Sequence, residues 1–168
     1  IAIDDYLGMI SKKTGALIRC AVNLGAAIGT RDETTIEAFR VFGRSLGYVF
    51  QIRDDVLGVW GNEETTGKPV GADIRRKKNS LPVVYAMSQA DPEDKQLLNC
   101  IYRKEQLSDG DVSDVLKVME RVNVKGYAQK LAQEHSDIAM EALSRVELSP
   151  DIRRETEDLV HFLLVRQH

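Results

Sequence analysis

The sequence predicts an all-α fold, a bundle of packed helices that forms one domain over residues 1–168. Apolar residues recur at the 3.6-residue spacing of amphipathic helices along most of the chain, whereas the alternation typical of β-strands is nearly absent. The four prolines stand near expected helix starts or in loops. With 43% hydrophobic residues, the 168-residue chain is long enough to bury a core.

The predicted helices are defined in order by their apolar stripes. The first follows Asp4 and Asp5, which we interpret as its N-cap, and carries Ile3, Tyr6, Ile10, Thr14, Leu17 and Ile18. The second, longer stripe comprises Ile36, Phe39, Gly43, Leu46, Phe50, Asp54 and Leu57. Two later stripes comprise Val112, Val115, Leu116, Met119 and Val122, and then Leu131, His135, Ile138 and Ala142.

Shorter helices are expected over about 80–89 and 92–103, and a last helix runs from about residue 150 towards Arg166. Ser80 is the expected N-cap of the helix that contains Pro82 in its first turn. The interval of about 60–79 is expected to be irregular, and loops of this length are usually functional or mobile. The glycines within 25–29 are expected to allow close approach of two helices.

Charge and composition exclude several classes of function. A net charge of −3 with an isoelectric point near 5.7 argues against a general nucleic-acid-binding protein. No apolar run reaches the roughly 18–20 residues of a membrane span, so we expect a soluble, cytoplasmic protein. Cys20 and Cys100 form no CxxC pair and fit buried thiols in a reducing compartment better than a disulfide framework.

Two acidic residues continue the apolar stripe of the second helix. After Phe50 the next position at helical spacing is Asp54, followed by Asp55, and Gln51 lies on the same side. Carboxylates on an inward face are costly unless a positive charge meets them. A divalent cation is the simplest compensation, because Mg²⁺ prefers one or two carboxylates with water and phosphate oxygens. The alternative interpretation is a solvated acidic helix end paired with Arg53 or another neighbour.

Basic residues from three segments would complement these acids. Lys13 and Thr14 lie on or beside the stripe of the first helix, Lys68 follows a glycine in the irregular interval, and residues 73–78 read DIRRKK. Lysines together with a carboxylate-bound metal suit a diphosphate. The alternative for residues 75–78 is a solvated basic turn or a nucleic-acid patch. Five acids in the same part of the chain disfavour nucleic acid: Asp54, Asp55, Glu63, Glu64 and Asp73.

Several short segments resemble those of the trans-polyprenyl diphosphate synthases, the family of the farnesyl and geranylgeranyl diphosphate synthases. The resemblance covers residues 1 to about 90. It is carried by the second aspartate-rich region, read here as FQIRDDVLG (50–58), TGKPVGAD (66–73) and KKNSLP (77–82). It is also carried by the lysine–threonine helix, read here as YLGMISKKTGAL (6–17), and by the small residues LGAA (24–27).

The resemblance implies an all-helical prenyltransferase of the isoprenoid synthase type that condenses isopentenyl diphosphate with an allylic diphosphate and uses Mg²⁺. Basic side chains and metal would bind the allylic diphosphate and stabilise the departing pyrophosphate. The resemblance also implies a dry, largely apolar pocket in which the carbocation forms, and no nucleic-acid partner. It further implies a soluble, cytoplasmic homodimer whose product is apolar enough to partition into a membrane.

The resemblance also implies roles for individual residues. Asp54 would be a metal ligand. Asp55 would support that metal without direct contact, through a water molecule or through another residue that binds the metal. Asp73 would join the metal site by orienting Lys68 or a metal-bound water. Lys13, Lys68 and, as a weaker candidate, Lys78 would hold diphosphate oxygens. The catalytic set would be completed by Gln51 beside the metal–diphosphate cluster and by Thr14, whose carbonyl and hydroxyl would face the developing carbocation.

The chain departs from the family pattern in two respects. The second motif of the family reads Asp-Asp-x-x-Asp, but position 58 is Gly here, so one carboxylate is missing. The first aspartate-rich motif and the Gly-Lys-x-x-Arg type site for isopentenyl diphosphate have no counterpart in these residues. Because both of these sites are missing, we expect the chain to be the C-terminal half of a synthase and to be inactive alone, and the start at Ile rather than Met agrees with this expectation.

Two other functions remain open at this point. A class I terpene cyclase shares the helical chemistry, but its second metal motif needs Asn or Asp, Ser or Thr, and Glu, where positions 54, 58 and 62 here are Asp, Gly and Asn. A non-catalytic helical subunit that modifies another synthase is the second. A pure scaffold does not need Lys13, Gln51, Asp54 and Lys68, which argues against it.

Overall fold

The computed structural model describes residues 1–61, 67 and 69–165. Its secondary structure in these residues is helical, without a strand, which confirms the all-α prediction. The helices are α1 (Ile3–Lys12), α2 (Thr14–Gly29), α3 (Glu33–Trp60), α4 (Ala72–Arg75), α5 (Leu81–Gln89), α6 (Pro92–Arg103), α7 (Asp109–Arg121), α8 (Val124–Ser144) and α9 (Pro150–Val165). None of these helices combines the length and hydrophobicity that crossing a bilayer requires.

The described chain forms two compact units. The first unit comprises Ile1–Tyr6 and Asp54–Gln129, and the second comprises Leu7–Arg53 and residues 130–165. The core of the first unit brings together the end of α3 with α4 to α7, where α7 packs against α4, α5 and α6. Its largest fully buried side chains are Ile74, Leu98 and Met119. The core of the second unit is built from α3, α8 and α9 around Phe42, Leu143 and Val160.

Local capping explains where several helices begin. Asp91 accepts a hydrogen bond from the Asp94 amide (2.8 Å) at the start of α6, directly before Pro92. Ser108 and Asp111 form a reciprocal capping box at the start of α7. The predicted boundaries of 80–89 and 92–103 therefore agree with α5 and α6. The expected irregular interval is interrupted by the short helix α4, while residues 62–66 and 68 lie outside the described residues.

The first predicted helix is divided in two. Helix α1 ends at Lys12 and α2 begins at Thr14, because Lys13 between them adopts non-helical dihedral angles (φ −85°, ψ −85°). The single stripe predicted there was wrong at its end, since Leu17 is 75% exposed. Asp4 and Asp5 lie in the first turn of α1 rather than before it, and Asp5 accepts a bond from the Ala2 amide (3.1 Å).

The close helix approach in the second unit occurs at Gly15 and Gly47, not within 25–29. A Cβ atom at Gly47 would lie 2.7 Å from the Cα of Gly15, whereas one at Gly25 would have no neighbour within 4 Å. Only glycine at position 47 therefore permits the observed crossing of α2 and α3.

Cys20 and Cys100 are unpaired, as expected from the sequence. Both are exposed, however, whereas the sequence analysis predicted buried thiols.

We expect Gly47→Ala to lower the free energy of unfolding by about 1–3 kcal/mol, because the added methyl group meets rigid backbone. Urea denaturation followed by circular dichroism measures the change. Gly25→Ala is the matched control and should leave stability equal or raise it by up to about 1 kcal/mol, since alanine is the better helix former. Equal stabilities for the two variants would contradict the close approach.

Candidate functional site

The end of α3 buries one of its two adjacent carboxylates and exposes the other. Asp55 is 1% exposed, while the side chain of Asp54 is 49% exposed. The sequence predicted that both carboxylates face inwards, and Asp55 is buried as predicted whereas Asp54 is half-exposed. Near the end of α3 the fully buried positions are Val49, Ile52, Asp55 and Val59. This face differs from the predicted stripe, which ran through Phe50 and Asp54.

Three donors from separate segments meet the buried carboxylate of Asp55. The Tyr6 hydroxyl donates to Oδ2 (2.6 Å), the Leu81 amide donates to the same oxygen (2.8 Å), and the Lys78 ammonium donates to Oδ1 (3.0 Å). These bonds compensate for the loss of water around the charge. Burial and the negative charge of Asp55 together raise the pKa of Tyr6 far above its ordinary value, so Tyr6 remains a donor.

Ser80 is the residue before α5, as predicted, but it does not cap that helix with its side chain. Its buried hydroxyl has no hydrogen-bond partner among the described residues. The carboxylate of Asp55 instead accepts the bond from the first amide of α5. A residue of α3 thus performs the capping role that the sequence assigned to Ser80, and the negative charge also suits the helix N-terminus.

Lys78 contacts three carboxylates at once. Its Nζ atom lies 2.9 Å from Asp73 Oδ2, 3.0 Å from Asp55 Oδ1 and 3.8 Å from Asp54 Oδ2. Burial alone would lower the pKa of Lys78, but the hydrogen bond to Asp73 and the bond and charge of Asp55 outweigh it and raise that pKa above its ordinary value. The side chain is therefore an ammonium group, 39% exposed, at the edge of an acidic cluster.

Asp73 reaches this cluster through a turn that depends on Gly71. Gly71 has a left-handed conformation (φ +77°) and precedes α4, in which Asp73 is 5% exposed. The Gly71 amide donates to the Val59 carbonyl (2.9 Å), which fastens the turn to the end of α3. The carboxylate of Asp73 lies directly beside Gly58, so an acid from α4 is adjacent to the position in α3 that lacks the expected aspartate.

The second unit brings together two further predicted residues. The Thr14 hydroxyl donates a hydrogen bond of 2.6 Å to Gln51 Oε1. Lys13, at the break between α1 and α2, is exposed. Lys68 lies outside the described residues, so its predicted role in binding the diphosphate stays a prediction.

The described residues contain no group of three or more His, Cys, Asp or Glu side chains arranged to hold a metal ion by themselves. Asp55 and Asp73 face the ammonium group of Lys78, whereas Asp54 has the most exposed carboxylate of the three. Sequence reasoning missed Tyr6 and the Leu81 amide as parts of this arrangement. The available signal was a tyrosine on an apolar stripe, because a buried hydroxyl usually requires a partner.

The chain is similar in sequence to proteins that have been characterised. The sequence profile described as "Polyprenyl synthetase" matches residues 1–119. A short chain isoprenyl diphosphate synthase of Methanothermobacter thermautotrophicus is 38% identical over 168 residues, which cover 98% of this chain and 50% of that protein. The chain spans about half the length of the curated relatives it matches.

Solved structures agree with these sequence matches. Geranylgeranyl pyrophosphate synthetase from Pyrococcus horikoshii superimposes with a TM-score of 0.90 at 37% identity, covering 99% of this chain and 50% of that one. A polyprenyl synthase from Caulobacter crescentus, in complex with calcium and isoprenyl diphosphate, gives a TM-score of 0.89 at 30% identity, covering 100% of this chain and 51% of that one. The similarity therefore extends over the described helices.

We expect Tyr6→Phe to lower the free energy of unfolding by about 1.5–3 kcal/mol, because it removes one bond to a buried charge. Tyr102→Phe is the matched control, since the buried Tyr102 hydroxyl has no partner among the described residues, and should change stability by at most about 0.5 kcal/mol. Chemical denaturation of both variants measures the difference. Equal effects would show that the Tyr6 hydroxyl does not support Asp55.

Proposed function

This chain belongs to the polyprenyl synthetase family, and we propose that it supplies the part of a prenyl diphosphate synthase that holds the diphosphate end of an allylic substrate. The complete reaction would join isopentenyl diphosphate to that substrate and release pyrophosphate. The names of the relatives and the isoprenyl diphosphate in the Caulobacter crescentus complex support this substrate class. Their lengths support a role as about half of such an enzyme.

The observation that carries the proposal is the position of Asp54. Its carboxylate is half-exposed and lies 3.8 Å from the ammonium group of Lys78. We propose that a Mg²⁺ ion would take Asp54 as a protein ligand and further ligands from phosphate and water, because Mg²⁺ is commonly bound by one or two carboxylates together with substrate phosphates. Bound there, Mg²⁺ would neutralise charge on the diphosphate as it leaves.

The other acids and lysines would support this site. Asp55 would keep the end of α3 and the start of α5 together, since its oxygens already accept three bonds. Lys78 would offer its ammonium group to diphosphate oxygens from beside Asp54. Lys13 and Lys68 keep the diphosphate-binding roles predicted from the sequence, and Asp73 keeps its role beside the metal.

In the second unit we propose that Gln51 orients Thr14. The Thr14 hydroxyl has one proton and donates it to Gln51 Oε1. Its oxygen lone pairs are therefore directed away from Gln51 and would face an electron-poor carbon. An allylic cation needs this kind of stabilisation, because it lacks counter-charge once its pyrophosphate separates.

We also propose that residues 1–168 do not complete the reaction by themselves. The sequence has one further Asp-Asp pair, Asp4-Asp5, and Asp5 is engaged in capping α1 through the Ala2 amide. An acidic motif that binds additional metal would have to come from outside these residues. It also stays a prediction that the complete enzyme is a homodimer and that it is located in the cytoplasm.

Calorimetric titration of the chain with pyrophosphate, with and without MgCl₂, tests the proposed site. We expect binding that depends on Mg²⁺ and an affinity loss of about tenfold or more in Asp54→Ala, since one charged ligand is removed. Asp114→Ala is the matched control, because Asp114 has a similarly exposed carboxylate that faces its own lysine (Lys117, 2.9 Å).

The same preparation, given Mg²⁺, geranyl diphosphate and isopentenyl diphosphate, should form no prenyl product. If pyrophosphate binding does not depend on Mg²⁺, or if Asp54→Ala leaves the affinity unchanged, the proposed role of Asp54 as a metal ligand is contradicted. Product formation by the homogeneous chain would contradict its dependence on further residues.

A further inference from the structure

The start of α3 and the end of α8 enclose a groove that the candidate site does not use. The groove has a volume of about 640 Å³ and lies within the second unit. Its described lining residues come from 33–41 in α3, and from 138–146 in α8 and the two residues after it. These two ranges define the α3–α8 groove. Eight residue steps along α3 give it a length of about 12 Å.

The floor of the α3–α8 groove is apolar. Ala38, Ala142 and Val146 line it and are buried, and Val41 is half-buried beside them. Ile138 also lines the groove, yet it is 42% exposed. The apolar stripe of α8 therefore continues past the core into the groove. Small alanine side chains in the floor leave room for another helix to approach closely.

The rim of the α3–α8 groove is acidic. Glu33 and Glu37 line the wall formed by α3, one helical turn apart, and Glu141 lines the opposite wall. Arg145 is the one described lining residue with a positive charge. Its pairing with Glu141, like that of Arg40 with Glu37, joins side chains that are more than half exposed. Such pairs contribute little to stability, so the glutamates can accept cations from a partner.

These properties favour one of the common modes of peptide recognition. Addition of a strand needs a sheet edge, and the described residues contain no strand. Proline-rich segments need aromatic rings, which are absent from the described lining of the groove. The glutamates would repel a phosphorylated or acidic segment. The mode that fits is an amphipathic helix of about two turns, with apolar residues at i, i+3 or i+4 and i+7 and cations on both flanks.

The described helices of this chain that expose apolar faces do not match such an occupant. Ile152, Leu159 and Phe162 are exposed on α9, but this helix carries four acidic residues against two arginines. Leu17 and Ile28 are exposed on α2, but the charge of this helix is a single arginine. A second copy of the chain would therefore bring like charge, or very little charge, to the acidic rim.

We propose that the α3–α8 groove is a docking site for a basic amphipathic helix of another protein. The apolar residues of that helix would cover Ile138 and remove its exposed surface from water. Its lysines or arginines would face Glu33 and Glu37 on one side and Glu141 on the other. The groove contains none of the residues assigned to the diphosphate, so this inference does not rest on the proposed function.

Fluorescence anisotropy of a labelled model peptide, titrated with the full 168-residue chain, tests the inference. The peptide LKKLLKLLKKLLKL is patterned as a helix with leucines on one face and lysines on the other. We expect saturable binding at physiological ionic strength. The matched peptide with glutamate in place of every lysine should bind at least about tenfold more weakly, because it brings like charge to the rim.

Variants of the groove test charge and apolar contact separately. Glu37→Lys/Glu141→Lys should weaken binding of the lysine peptide by about tenfold, because attraction becomes repulsion on both walls. Ile138→Ser should weaken it by about fivefold, because apolar contact is lost. All three side chains are exposed, and circular dichroism checks that each variant keeps its helices.

Matched variants outside the groove provide the reference. Asp114→Lys/Glu134→Lys makes the same change in net charge at exposed acids that do not line the groove. Leu17→Ser removes an exposed apolar side chain from α2. Both should change the affinity by less than about twofold.

Several results would each overturn the inference. The first is equal binding of the lysine and glutamate peptides, or no binding of the lysine peptide. The second is an equal loss of affinity in the groove variants and in their matched controls, which would indicate attraction to the whole surface rather than to a site. The third is an unchanged chain that sediments as a dimer while Ile138→Ser sediments as a monomer, which would make a second copy the occupant.

Discussion

The arrangement of the first unit depends on one buried charge, the carboxylate of Asp55. A buried carboxylate is unfavourable unless hydrogen bonds and opposite charge replace water, and here the replacement comes from Tyr6 in α1, from the first amide of α5 and from Lys78. Each donor belongs to a segment far from Asp55 in the sequence. The single carboxylate therefore fixes the start of α5, the end of α3 and the beginning of the chain in one arrangement.

The adjacent acids consequently divide two tasks. Consecutive helical residues point about 100° apart, so a helix that buries Asp55 places the neighbouring Asp54 closer to solvent, with its side chain 49% exposed. Lys78 joins the two, because it is bonded to Asp55 and lies near Asp54. A stable internal charge thus places a lysine and an exposed carboxylate side by side, which is the combination that a metal-bound diphosphate requires.

The sequence predicted the helices well where local signals are strong. The boundaries of α5 and α6 follow from Pro82, Asp91 and Pro92, since capping and proline geometry are properties of adjacent residues. Both acids were predicted to face inwards but only Asp55 is buried, because large side chains such as Phe50 suggested a face that the smaller Val49 and Ile52 actually define.

Contacts between distant segments were not predictable from periodicity. Nothing local indicates that the carboxylate of Asp73 fills the place beside Gly58, or that Asp55 rather than Ser80 caps α5. The break at Lys13 was also missed, because the residues around it have an uninterrupted apolar pattern while the close contact of Gly15 with Gly47 involves another helix. Residue types in the sequence suggested a chemistry for the site, whereas the contacts among its side chains became visible only in the fold.

Hydrogen exchange at the Leu81 amide tests the central claim most directly. This amide should be protected in the unchanged chain, because Asp55 accepts its hydrogen, although the first amide of a helix ordinarily has no partner within the helix. In Asp55→Ala its exchange should accelerate by about tenfold or more. The amide of Val84, bonded to the Ser80 carbonyl at 3.0 Å, is the internal reference and should change less. An equal exchange rate for Leu81 with and without the carboxylate would contradict the account.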